Sequence, residues 1–69
     1  MTPPINDIIT PTGQRLAIGD TVRVTAGGQR NEIGLVTDIY PWHSFTLVVV
    51  KLETGTLFYD DGHRLEHVK

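Results

Sequence analysis

The sequence predicts an all-β fold: a small barrel of five short strands preceded by an N-terminal β-hairpin. Three observations carry this. Glycine, proline and asparagine punctuate the chain at regular intervals, as turns between short strands do. The runs between them either alternate apolar with polar or are rich in β-branched and aromatic residues. No stretch repeats its apolar residues at the i, i+3, i+4 spacing of a helix face.

In chain order, residues 1–6 hold two prolines and few packing residues, and are expected to form a flexible N-terminal arm. Residues 7–69 then make a single domain, whose first part, 7–18, reads as the hairpin. Pro11 at the second position of a turn and Gly13 at the fourth suit a type I turn. Ile8 and Ile9 before the turn, and Leu16 and Ile18 after it, supply the flanking strands.

Thr21 to Thr25 alternates so that Val22 and Val24 face a core while Arg23 faces out. Gly27 and Gly28 permit positive φ in the following loop, and Asn31 visits the same region at low cost. Gly34 leaves room for a neighbouring backbone. Val36 and Ile39 are three apart, so pointing both inward requires a β-bulge at Thr37-Asp38.

Pro41, which cannot donate to a ladder, is expected to end this strand. Tyr40, Trp42 and Phe45, three of the five aromatics, surround it. Thr46 to Leu52 is the most β-prone run, and both of its faces are apolar. Val48, Val50 and Leu52 form one face and Phe45, Leu47 and Val49 the other. The second face needs a cover, either the hairpin or another subunit. Thr56 to Tyr59 is a short strand with Phe58 assigned to the core, Asp60 to His63 a tight turn, and Arg64 to Val68 the closing strand.

The segment Ile18 to Ile39 resembles the KOW motif of SH3-like barrels, found in a large-subunit ribosomal protein and in a transcription elongation factor. Gly19-Asp20, Val22, Val24, Gly27, Gly34, Val36 and Ile39 fall in register with that pattern. The resemblance implies a small SH3-like five-stranded barrel and, for many members, RNA binding. Here the loop reads Gly28-Gln29-Arg30-Asn31-Glu32, with one base and one acid where the family carries several lysines. The layout is also similar to small SH3-like accessory subunits of electron-transfer complexes. Thr56 to Tyr59 is similar in placement to the substrate-contacting strand of a plasmid-encoded dihydrofolate reductase, whose SH3-like site forms only in the tetramer.

Sixty-nine residues make one domain, which buries only about 60% of the surface its unfolded chain exposes. There is no cysteine to supplement the core. The net charge of −2 and pI near 5.8 disfavour nucleic acid as the default partner. The longest apolar run is too short to span a membrane, so a cytoplasmic protein without membrane partners is expected.

Chemistry is sparsely supported. His63 and His67 are four apart, but on a turn and strand that spacing separates them by about 13 Å, so no metal site is expected. Asp60 and Asp61 are adjacent and point apart on a strand, and Ser44 beside His43 is a loop dipeptide without a pocket to hold it. No cofactor and no catalytic residue is assigned, and the protein is read as a non-enzyme. The favoured function is a small interaction or accessory module that binds another protein or self-associates through Tyr40, Trp42, Phe45, Leu47 and Val49. The alternative is a KOW-type RNA- or DNA-binding module using Arg23, Arg30 and Lys51.

Overall fold

In a computed structural model, the regular structure among the described residues consists of antiparallel strands, with no helix. The structure describes residues 6–42 and 44–68, with the backbone but not the side chain of Trp42. Apart from Asn6, the expected arm lies outside the described residues. Strands β1 (Asp7–Ile9) and β2 (Arg15–Ala17) form the N-terminal hairpin. Strands β3 (Thr21–Val24), β4 (Ile33–Trp42), β5 (Phe45–Leu52), β6 (Leu57–Asp60) and β7 (Leu65–His67) form a second sheet, in the order β6-β5-β4-β3-β7. Among the described residues no ladder joins β6 to β7, so the five strands are not closed by hydrogen bonds.

The hairpin turn follows from its residues. Gly13 N–H donates to Thr10 O (2.8 Å), and Gly13 adopts φ +91°, which a residue without a Cβ takes freely. In the β3–β4 loop Gly27 and Asn31 take positive φ, whereas Gly28, expected to share that role, does not. Gly34 is a steric requirement. A Cβ there would stand 2.5 Å from Lys51 O and 2.9 Å from Leu52 Cα, both backbone atoms of the facing strand.

The core lies on one face of the large sheet. Val22, Val24, Val36, Ile39, Val48, Val50, Leu52, Phe58 and Leu65 bury together, and Leu16 of the hairpin joins them with Ile8 packed alongside. The β4–β5 register shifts between Val36 and Asp38, where Thr37 is the extra residue. That bulge lets Val36 and Ile39 both face inward.

Two expectations about strand ends are corrected. β4 does not stop at Pro41 but runs to Trp42, with Pro41 opposite Thr46. β3 pairs with β4 only as far as Leu35, so position 41 has β5 on one side and no strand on the other, where proline is tolerated. The closing strand is also shorter than Arg64 to Val68, because Arg64 belongs to the preceding turn.

Candidate interaction face

Residues opposite one another in an antiparallel ladder point to the same side. Register pairs Tyr40 with Leu47, Trp42 with Phe45, and Asp38 with Val49, which in turn pairs with Tyr59. The register therefore places Tyr40, Phe45, Leu47 and Val49, four of the five sequence-assigned residues, on the outer face of β4 and β5. The side chain of Trp42 lies outside what the structure describes. Leu35, Leu57 and Tyr59 lie on the same face, because Lys51 pairs with both Leu35 and Leu57.

The members contribute unequally. Tyr40 is 46% exposed, Phe45 45%, Tyr59 53% and Leu57 47%, so each offers large apolar surface to solvent. Leu47 is half-buried, and Val49, though on this side, is 6% exposed and serves as the floor. Phe45, Leu47 and Tyr59 line a shallow groove that ends at Asp60, Asp61 and His63. The hairpin does not cover this face. It packs against the core through Leu16 and Ile8, and its turn lies beside Phe45 and Asp61.

The electrostatics at the rim are acidic. The negative charge of Asp38 holds the Tyr40 phenol above its ordinary value, with a smaller push from Tyr59. At the other end, hydrogen bonding between the His63 ring and Asp61 raises the imidazole and lowers the carboxyl.

Asp60, Asp61 and His63 bring their ligand-type atoms within 4.8 Å of one another. The buried Asp60 carboxylate is already committed. Its Oδ2 accepts from Gly62 N–H and Arg64 N–H, both at 3.1 Å, and its Oδ1 accepts from Arg64 Nε (3.1 Å) and Nη2 (3.0 Å). Arg64 also stacks over the Phe58 ring at 5.3 Å. The cluster locks the β6–β7 turn: a charge is buried there because it is fully hydrogen-bonded.

Of the basic residues, Arg23 forms an ion pair with Glu66 on the adjacent strand β7. Lys51 is exposed on the outer face of β5, and Arg30 is exposed in the β3–β4 loop. His67 does not join His63; it lies 3.6 Å from Asp20.

Sequence reasoning missed Tyr59, Leu57 and Leu35. Their alternation with the buried Phe58 and Gly34 was readable, but which strand lies beside which depends on register. The chain matches no family model, no curated protein and no solved structure.

Proposed function

We propose that the protein is a non-catalytic interaction module that docks on a protein partner, another protein or a second copy, through the outer face of β4, β5 and β6. The observation that carries this is the register, which sets exposed Tyr40, Phe45 and Tyr59 around the half-buried Leu47, with exposed Leu57 next along β6 beyond Tyr59. Aromatic side chains supply large contact area at low cost in side-chain entropy, and a contiguous exposed apolar patch marks an interaction surface.

Within this reading the fold is an SH3-like barrel. The strand order, the long central strand bent at its bulge and the tight turn before the last strand support it. The KOW-type nucleic-acid alternative has less support, since Arg23 is engaged by Glu66 and the net charge is −2.

The test compares the wild-type chain with a Tyr40→Ser/Phe45→Ser double variant as bait in extract from the source cell. Specific proteins should be retained by the wild type and lost with the variant, while thermal stability is unchanged. Equal retention by both removes the face from the account. Binding of RNA or DNA that weakens steeply with salt and is lost on substituting Arg23, Arg30 and Lys51 would establish the alternative.

A further inference from the structure

A β-strand directs its N–H and C=O groups alternately toward its two sides, so the ladder on one side dictates what remains on the other. The bond from Leu52 N–H to Thr56 O (2.9 Å) makes those two a hydrogen-bonded pair. By alternation, Val50 with Phe58 and Val48 with Asp60 are also bonded pairs, whereas Lys51 with Leu57 and Val49 with Tyr59 are not. Leu57 and Tyr59 therefore turn their backbone groups away from β5. Among the described residues nothing hydrogen-bonds to them there.

The other end strand is different. On β7, Val68 N–H donates to Thr21 O and Thr25 N–H to Arg64 O, which leaves Leu65 and His67 facing outward. Both outward N–H groups are taken, Leu65 by Gly62 O (3.2 Å) and His67 by the side-chain Oε1 of Gln14 (2.8 Å). β6 has no such cap. It also lacks the lysine, proline or bulge with which exposed edges are commonly protected.

We propose that the free edge of β6 is a dimer seam and that its occupant is a second copy of this chain, paired antiparallel about a two-fold axis at Phe58. That register sets Leu57 opposite Tyr59 of the other copy, and Tyr59 opposite Leu57. Each pair exchanges both backbone bonds, so all four outward groups on each edge are used. Centring the axis on Leu57 or on Tyr59 pairs only one of the two with a strand residue. Opposed residues share a face, so each half-exposed Leu57 packs on a half-exposed Tyr59, an aliphatic–aromatic pair made twice. A foreign strand meets the backbone equally well; the matched side chains favour a copy. The seam lies on the edge of the sheet and does not depend on the docking role of Tyr40 and Phe45.

Sedimentation equilibrium from about 10 µM to about 1 mM should show a monomer–dimer equilibrium. Tyr59→Pro deletes an N–H that β5 does not use, and Leu57→Lys adds an edge charge. Each should weaken dimerisation at least about tenfold, with circular dichroism and thermal unfolding unchanged at dilutions where the wild type is monomeric. Phe45→Ser should leave the dimer intact. Should Tyr59→Pro fail to fold, Leu57→Lys decides alone, supported by amide exchange at Leu57 and Tyr59 that slows as protein concentration rises. A wild type that stays monomeric at about 1 mM overturns the proposal, including the case where only a foreign peptide fills the edge. So does a folded Leu57→Lys variant that dimerises as tightly as wild type, or a dimer abolished by Phe45→Ser.

Discussion

The two ends of the large sheet are finished in opposite ways. At the β3–β7 end the hairpin supplies Leu16 to the core, Gln14 to the backbone of His67, and the turn that brings Asp20 beside the His67 ring. At the β5–β6 end the outward backbone groups of Leu57 and Tyr59 have no partner among the described residues, and the face beside them is apolar. The same physics acts at both ends, since an edge strand must have its polar groups met by something. One end has its outward N–H groups met within the chain. The other leaves them, beside an apolar face, without a partner among the described residues, and the proposed docking face and seam both lie at that end.

The largest effect should come from separating the two ends where they join. Gly34→Ala puts a Cβ against Lys51 O and Leu52 Cα, backbone atoms that move only if β4 leaves β5. A loss of about 3 kcal/mol or more is expected, enough to unfold much of a small domain. Urea unfolding measures it; a loss under about 1 kcal/mol would mean the β4–β5 ladder has slack. Leu16→Ala comes next. It empties a fully buried site in the core and should cost about 2–4 kcal/mol. If it is nearly neutral, the hairpin is an appendage and the contrast between the ends is lost.

Gln14→Ala makes the closed end resemble the open one. Removing the acceptor of His67 N–H should cost about 1 kcal/mol, and the His67 amide should then exchange as fast as those of Leu57 and Tyr59. Slow His67 exchange in the variant would show that something other than Gln14 shields that edge.

The contrast also explains what could be read in the sequence. Val22, Val24 and the Val36–Ile39 break in alternation were legible because strand period and local sterics are written in neighbouring residues. The turn at Pro11–Gly13 was legible for the same reason. The continuation of β4 through Pro41 was not, because whether proline is tolerated depends on where β3 stops pairing. Gln14 capping His67 and Tyr59 joining Tyr40 and Leu47 join residues far apart in the chain, and only the fold brings them together. Asp60 read as half of an exposed acidic turn, since nothing local signals that Arg64 folds back over Phe58 to hold it.

The smallest expected effect concerns the acidic end of the groove, where pH acts on the His63–Asp61 pair. The His63 imidazole is raised above its ordinary 6.5, first by hydrogen bonding to Asp61 and then by the charges of Asp60 and Asp61, while desolvation and the charge of Arg64 oppose the shift. Its contribution to stability is therefore complete below about pH 6.5 and is lost as pH rises through the raised value. The Asp61 carboxyl is lowered from 3.8, first by the same hydrogen bond, so its contribution is present above about pH 3.8 and is lost as pH falls through the lowered value. The pair thus stabilises the turn most between about pH 3.8 and 6.5. Both side chains are solvent-accessible, so the effect is small and screened by salt. The difference in unfolding midpoint between wild type and His63→Gln should follow a bell across pH 3 to 9 and flatten in about 1 M salt. A difference that instead grows steadily toward alkaline pH would mean that His63 holds the turn in its neutral form, and that the acidity of this end of the groove owes nothing to a charged pair.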